Sequence, residues 1–243
     1  MAPLFRVAVL TSSNAPGIEA LRDDPNRGLL YELADVITRR DAPRNILERE
    51  RFDEETVELL RDTGADWVIL DDYDFIVTPV LLKAFPDRIL ALHDGDLTLR
   101  DDDGARRYTM LNASRRAIFA GETQTRPSLF FVTERFGEGP LMLVGAPYPV
   151  SGIATDAIVR GEYDVAIEYA RVHRDWMMRS AYGELLVRAL QFLAAGTLKV
   201  ANGVVWIDGA PGPCRLGDAP QICHELGDHV QRGIPASCPF IQT

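Results

Sequence analysis

The feature that most constrains the fold of this chain is an alternation of short, apolar, β-branched segments with segments of helical periodicity. Strand-like runs occupy residues 5–11, 33–38, 66–70 and 88–93. Nearly continuous apolar strands are buried on both faces in parallel sheets, so the alternation predicts an α/β fold with a doubly wound, mostly parallel, Rossmann-type sheet. Ligands of such sheets bind beyond the carboxyl ends of the strands.

Helical segments are predicted between these strands. They cover residues 53–61, with Asp53 as the N-cap, residues 78–83, opened by Thr78 and Pro79, and residues 112–120. Two more strands, at 129–134 and 141–144, follow with a glycine-bearing turn between them.

The second half of the chain predicts C-terminal helices and a β-hairpin. Long helices are expected over residues 158–195, before Gly196, and a hairpin over 197–207 because its Asn-Gly pair supplies positive φ angles. Residues 1–210 are therefore predicted to form one domain. Residues 211–243 form a Pro- and Gly-containing tail, whose Cys214, Cys223 and Cys238 match no zinc-binding spacing.

Charge and composition narrow the class of partner. The formal net charge is −10, with 36 acidic and 26 basic residues, which argues against a nucleic-acid-binding surface. No run of about 18 apolar residues and no signal pattern is present, so we expect a cytoplasmic protein that does not engage membranes. A small-molecule substrate is the default expectation, and a homodimer is an open alternative to a monomer.

A set of short motifs recurs in a distinctive order along residues 5 to 210. These are VAVLTSSN at 7–14, GADWVIL at 64–70, ILALH at 89–93, SLFFVTE at 128–134, GTLKV at 196–200 and WIDG at 206–209. In this order they resemble the folate-dependent formyltransferase family of the phosphoribosylglycinamide type. The resemblance implies a one-carbon transferase that moves a formyl group from 10-formyltetrahydrofolate to a small amine such as glycinamide ribonucleotide, in purine biosynthesis.

The resemblance also implies where the catalytic groups lie, and the chain departs from the family there. The family uses an Asn and a His two residues apart at the end of one strand, and an Asp before a glycine-rich turn. Here those positions hold Ala91, His93 and Gly137. His93 is the leading catalytic candidate, as a group that polarises the formyl oxygen, and Asp94 and Glu138 are candidates for the missing acid. The alternatives are a histidine that merely ends a strand and two solvated loop acids.

Two binding segments follow from the same comparison. The cofactor-binding segment, which lies along the pterin in the family, corresponds here to Asp71, Tyr73, Phe75, Ile76 and Val77. The substrate-binding candidates are Ser12, Ser13, Asn14 and Gly17, because backbone N–H groups between a strand and a helix favour an anion. An ordinary strand-to-helix turn remains the alternative, since Pro16 supplies no N–H.

Aspartates are dense in two loops that should meet at the carboxyl edge of the sheet, namely Asp71, Asp72, Asp74, Asp94, Asp96, Asp101, Asp102 and Asp103. Oxygen ligands of this kind suit Mg²⁺ or Ca²⁺, but no calcium-loop spacing is present and no metal ligand is assigned. Such a site repels anions unless Arg100, Arg106, Arg107, Arg115 or Arg116 compensates. Because two family groups are replaced, catalytic activity stays open, and the alternatives are a binding or regulatory relative and a different, metal-assisted reaction.

Overall fold

The structure, a computed structural model, describes residues 4–41, 43 and 45–216. Its strands, in chain order, are β1 (Phe5–Thr11), β2 (Tyr31–Thr38), β3 (Trp67–Leu70), β4 (Ile89–His93), β5 (Gln124–Thr125), β6 (Ser128–Phe131), β7 (Leu141–Val144), β8 (Tyr148–Pro149), β9 (Leu198–Ala201), β10 (Val204–Ile207), β11 (Ala210–Pro211) and β12 (Cys214–Arg215). Seven of these strands form a central sheet in the order β12-β7-β6-β4-β3-β1-β2.

The central sheet is mostly parallel. β1 pairs in parallel with β2 and β3, and β3 pairs in parallel with β4, whereas β6 runs antiparallel to both β4 and β7. The middle strands are almost wholly buried: Val7, Val9, Ile69 and Leu90 have no or negligible exposed surface. Burial on both faces explains why these strands read as unbroken apolar runs, and the predicted α/β class is confirmed.

Helices connect the strands: α1 (Ile18–Asp23), α2 (Ile46–Asp62), α3 (Pro79–Ala84), α4 (Ala113–Phe119), α5 (Gly152–Val159) and α6 (Tyr163–Ala195). Thr78 caps α3 as predicted, because its side chain accepts a hydrogen bond from the Val80 N–H. The helix predicted over residues 53–61 is present as part of α2, but its predicted start and N-cap were wrong, since α2 begins seven residues earlier and Asn45 is its N-cap. Asp53 instead lies buried inside the helix, where its carboxylate accepts a hydrogen bond from the Thr78 N–H at 2.6 Å.

The 33-residue helix α6 packs its apolar stripe across one face of the sheet. Trp176, Met177 and Met178 of this helix are buried in the core. The helix ends at Gly196, which has the positive φ angle of 66° that a left-handed C-cap requires. Arg174 of α6 reaches the loops that follow β3 and β4, at the carboxyl ends of these strands.

The predicted hairpin is present as β9 and β10, and Asn202 and Gly203 have positive φ angles in its turn. The chain then returns to the main sheet, because β12 pairs in parallel with β7 and Leu216 is buried. The domain boundary at residue 210 stays a prediction, and most of the predicted tail, including Cys223 and Cys238, lies outside the described residues. No helix within the described ranges is long and apolar enough to cross a bilayer.

Candidate active site

His93 is the last residue of β4 and lies at the carboxyl edge of the sheet. The imidazole is 5% exposed, and its Nε2 lies 2.7 Å from the main-chain oxygen of Tyr108. The rings of Phe130 and Phe136 meet it edge-on, at centroid distances of 6.3 and 6.2 Å. Burial lowers the pKa of His93; Asp94 and the Tyr108 carbonyl oppose that shift, and Arg174 adds to it. Burial thus favours the neutral form of the His93 imidazole.

A cavity opens beside this imidazole. It has a volume of about 30 Å³, room for about two water molecules. Its wall is mostly apolar and is formed by Leu70, Tyr73, Phe75, Ile76, Val77, Ala91, Leu92, His93, Phe130, Val132, Thr133, Phe136 and Gly137. Four of the five residues assigned to the cofactor contribute, whereas Asp71 does not. The hydroxyl of Tyr73 is buried in this region without a hydrogen-bond partner.

A wider groove of about 640 Å³ adjoins the cavity and shares Phe75, Ile76 and Val77 with it. Ile46 and Arg49 of α2 form its far side, and Ile76 is half exposed at the junction. A flat aromatic group fits the chemistry of the cavity, and a longer tail fits the groove. Entry of a pterin requires the shared side chains to shift, because the cavity as it stands is far smaller than a bicyclic ring.

The resemblance places the family acid at Gly137, and the main chain of Thr109 packs against that residue. Gly137 has a φ angle of 70°, and a Cβ built on it would lie 2.7 Å from the Thr109 oxygen. The segment that carries Tyr108 and Thr109 thus runs between β4 and the turn at 136–139. Arg106, from the same segment, donates hydrogen bonds to the carbonyl oxygens of Gly137 and Gly139 at 2.8 and 2.7 Å.

The two other catalytic candidates lie apart from each other. Glu138 is exposed, and its charge opposes the lowering of the Arg106 pKa by burial. Asp94 is buried beside His93, and its Oδ2 accepts hydrogen bonds from the Ser114 hydroxyl at 2.7 Å and from Arg174 Nε at 3.2 Å. Burial would raise the pKa of Asp94, but Arg174, His93 and Ser114 outweigh burial and lower it.

Arg174 of α6 joins the loops that follow two strands. Its Nη2 lies 2.6 Å from Asp72 Oδ1, and its Nε contacts Asp94. The two carboxylates are 10% and 6% exposed, so the guanidinium neutralises buried charge. The compensating cation at the acidic loops is therefore Arg174, which the sequence argument did not name. Arg100 instead bonds to the Gly104 oxygen, and Arg107 pairs with Glu122.

The β1–α1 loop carries the four substrate-binding candidates. Ser12 N–H donates to the Asp72 oxygen, Ser13 N–H donates to the Thr11 hydroxyl, and Gly17 N–H donates to Asp71 Oδ2 at 2.8 Å. The Ser13 hydroxyl also contacts the Asp72 carboxylate. Asn14 is exposed. The N–H groups of Ser12, Ser13 and Gly17 are thus already satisfied by acceptors of the protein itself.

Asp71 lies under this loop and is fully buried. Burial raises its pKa from the ordinary value of 3.8 to about 7; the hydrogen bond from Gly17 opposes the shift and the charge of Asp72 adds to it. Its Oδ1 has no hydrogen-bond partner. Asp71 is thus a buried acid behind the loop and not part of the cavity wall.

Among the described residues, no group of three or more His, Cys, Asp or Glu side chains is arranged to hold a metal ion. The aspartates of the acidic loops have different surroundings. Asp101, Asp102 and Asp103 are exposed in a turn, whereas Asp96 is buried, with Arg126 lying 3.7 Å from its carboxylate.

Several residues of the site carry no local signal in the sequence. Arg174 follows Asp94 by 80 residues and lies within a helix whose pattern indicates only packing. Tyr108 contributes a main-chain oxygen, which every residue type possesses. Arg174 could have been found only from the position of α6 relative to the carboxyl ends of β3 and β4.

The sequence and the fold of this chain are similar to those of known proteins. Phosphoribosylglycinamide formyltransferase of Escherichia coli K12 is 24% identical over 161 residues, which are 66% of this chain and 65% of that protein. The chain thus matches slightly less than two thirds of that relative's length. Phosphoribosylglycinamide formyltransferase from Anaplasma phagocytophilum superposes with a TM-score of 0.65 at 19% identity, covering 88% of this chain and 100% of that one.

A second kind of neighbour shares the fold. A formyltetrahydrofolate deformylase from Pseudomonas syringae pv. tomato has a TM-score of 0.63 at 18% identity, covering 85% of this chain and 66% of that one. The family model described as formyl transferase matches residues 7–151, more than half of the 243-residue chain. These residues include most of β1, the whole of β4 with His93, and the turn that carries Gly137. The chain belongs to the formyl transferase family.

Proposed function

We propose that this protein transfers a formyl group from 10-formyltetrahydrofolate to a small amine. The observation that carries the proposal is the position of His93, a buried imidazole in the wall of a cavity that Tyr73, Phe75, Ile76 and Val77, our cofactor-binding candidates, also line. A neutral imidazole at a strand end is suited to proton transfer near pH 7.

The reaction needs a nucleophile, a proton acceptor and an activated formyl group, which the folate supplies when bound. The amine nitrogen forms a bond to the formyl carbon, and the bond from that carbon to the folate nitrogen breaks. One amine proton leaves and ends on the folate nitrogen. The contribution of the protein is to orient both molecules beside His93, to exclude water with Phe130 and Phe136, and to move that proton.

The charges near His93 support an acceptor amine that carries no phosphate. In the β1–α1 loop, the N–H groups of Gly17, Ser12 and Ser13 already donate to Asp71, Asp72 and Thr11, respectively. Helix α1 is six residues long and adds little dipole. Asp74 is exposed at the same edge, although partial desolvation of its carboxylate and the charge of Asp72 raise its pKa, against the effect of Arg174. A phosphate would meet these carboxylates, whereas a neutral or cationic amine would not be repelled.

The proposal is tested by following the release of tetrahydrofolate when the purified protein is given 10-formyltetrahydrofolate and a panel of amines. The panel includes glycinamide ribonucleotide and phosphate-free primary amines of similar size. We expect turnover with a phosphate-free amine and a loss of about 100-fold or more in the His93→Gln variant. Glu54→Gln, on the exposed face of α2, serves as the control.

Three outcomes would argue against the proposal. Failure to bind the folate would remove the transfer reaction. Equal consumption of 10-formyltetrahydrofolate with and without an amine would identify water as the acceptor. That outcome would point to a deformylase, like the relative from Pseudomonas syringae. A preference for glycinamide ribonucleotide would retain formyl transfer but contradict the phosphate-free acceptor.

A further inference from the structure

We infer that Tyr108 is the positioning residue of this site: its main-chain oxygen fixes His93 in the tautomer with the proton on Nε2, which leaves Nδ1 as the proton acceptor for the reaction. The inference concerns the role of His93 within the proposed function and rests on that function. It replaces the expectation that His93 donates to the formyl oxygen.

The tautomer follows from the chemistry of the contact. A carbonyl oxygen can only accept a hydrogen bond, so the 2.7 Å contact requires a proton on Nε2. The edge of the ring that carries Nε2 also lies against Gly95, where an added Cβ would be 3.0 Å from Nε2. Nδ1 has no hydrogen-bond partner among the described residues. It is also not one of the fully buried side-chain atoms of those residues that lack a partner. In a neutral imidazole of this kind, Nδ1 carries a lone pair and accepts protons.

The charged groups around the ring agree with a neutral imidazole. Asp94 follows His93 in the chain and favours the cation, but its carboxylate is directed to Ser114 and Arg174. Arg174, from α6, disfavours the cation, and the neighbouring rings Phe130 and Phe136 add no charge. A base that is neutral at pH 7 can take a proton from the amine as the nitrogen attacks, and can then return it to the leaving nitrogen.

Tyr108 is held in place by its own side chain. Its backbone has a φ angle of 55°, a left-handed conformation that is unfavourable for a bulky residue. Its hydroxyl donates to Glu122 Oε1 at 2.9 Å and accepts from Arg107 Nη2 at 2.6 Å. Arg107 also lies 2.8 Å from Glu122 and stacks on the ring of Tyr108. These contacts among Tyr108, Arg107 and Glu122, here called the clamp, hold the main-chain oxygen of Tyr108 beside His93.

The same segment occupies the place of the absent carboxylate. Thr109, the next residue, packs its main chain against Gly137, where the family acid would stand. A main-chain carbonyl therefore orients the histidine here, and it differs from a carboxylate because it carries no net charge and cannot be titrated. The pH dependence of the site should accordingly reflect His93 without a coupled acid at position 137.

The test combines a spectroscopic measurement with kinetics on the full chain. Long-range ¹H–¹⁵N spectra report which nitrogen of each histidine carries the proton, and His93→Gln assigns the signal of His93. We expect the Nε2–H tautomer across neutral pH. We also expect Tyr108→Phe, which breaks the clamp, to reduce the share of that tautomer and to lower kcat by about 10-fold with little change in KM.

Tyr163→Phe is the matched control, because Tyr163 is 58% exposed at the start of α6. A His93 signal from the Nδ1–H tautomer in the unmodified protein would overturn the inference. So would a Tyr108→Phe variant with an unchanged tautomer and unchanged kcat, even if its melting temperature falls. If no formyl transfer occurs, the proposed function fails, while the spectra still decide the tautomer.

Discussion

The main-chain oxygen of Thr109 occupies the space where a side chain on Gly137 would begin. An ideal Cβ at position 137 would lie 2.7 Å from that oxygen, and the φ angle of Gly137 is 70°. The packing of the chain therefore leaves no space for a side chain at position 137. Both the steric contact and the backbone angle disfavour a carboxylate there.

The first prediction follows from this contact. Gly137→Asp should lower the free energy of unfolding by about 3 kcal/mol or more, because it adds steric overlap to the cost of a left-handed Asp. Gly104→Asp separates the two effects, since Gly104 has a φ angle of 79° and open space around it. That control should lose only about 1 kcal/mol in urea denaturation. Equal losses in the two variants would contradict the overlap.

The second prediction concerns the pH dependence of stability at Asp71. Its folded pKa of about 7 lies above the unfolded value of 3.8, so the folded state binds the extra proton between these values. The contribution of the protonated form is complete below about pH 4 and is lost as the pH rises through 7. Asp71→Asn cannot ionise and should exceed the original protein in stability by on the order of 2 kcal/mol at pH 8.

The measurement for Asp71 is the difference in unfolding free energy between variant and original protein at pH 5 and pH 8. His93 and His173, whose pKa values burial lowers, change stability in the opposite sense: their contribution is present above about pH 6.5 and declines below it. Their effect is common to both proteins and cancels in the difference. A difference that is the same at both pH values would show that Asp71 is not the group responsible.

The third prediction concerns the bridge formed by Arg174. Arg174→Met should cost about 3–5 kcal/mol, because it leaves the buried carboxylates of Asp72 and Asp94 without their cation. Arg179→Met is the control on the same helix, with a side chain that is 66% exposed. Thermal unfolding of both variants checks the prediction. Adding Asp94→Asn to Arg174→Met should recover part of the loss, and a purely additive double variant would argue against charge pairing.

The fourth prediction concerns the unpartnered hydroxyl of Tyr73. Burial raises the pKa of Tyr73, and its hydroxyl makes no hydrogen bond. Tyr73→Phe should therefore stabilise the ligand-free protein by about 1 kcal/mol. If the Tyr73 hydroxyl makes a hydrogen bond to a ligand, the same variant should bind the folate more weakly. Calorimetric titration and thermal unfolding, measured together, distinguish a binding group from a packing residue.

The sequence by itself determined the architecture and the family. Strand identity depends on local runs such as Phe5–Thr11 and Ile89–His93, and helix starts depend on local signals such as Thr78 before Pro79, so both can be read without a tertiary structure. The missed start of α2 has a local cause, since Asn45 is as good a cap as Asp53 and the helical pattern extends back to it. The order of motifs identified the formyltransferases, and with them the position of His93.

Only the tertiary structure decided what surrounds His93. The Arg174 bridge joins residues 80 and 102 positions apart in the chain, and the hydrogen bond from His93 ends on a main-chain oxygen that has no residue-specific signature. The closure of the β1–α1 loop by Asp71 and Asp72 likewise depends on the distance between two strand ends. Periodicity records which face of an element is buried, whereas the partner of each polar atom is set by the path of the chain in space.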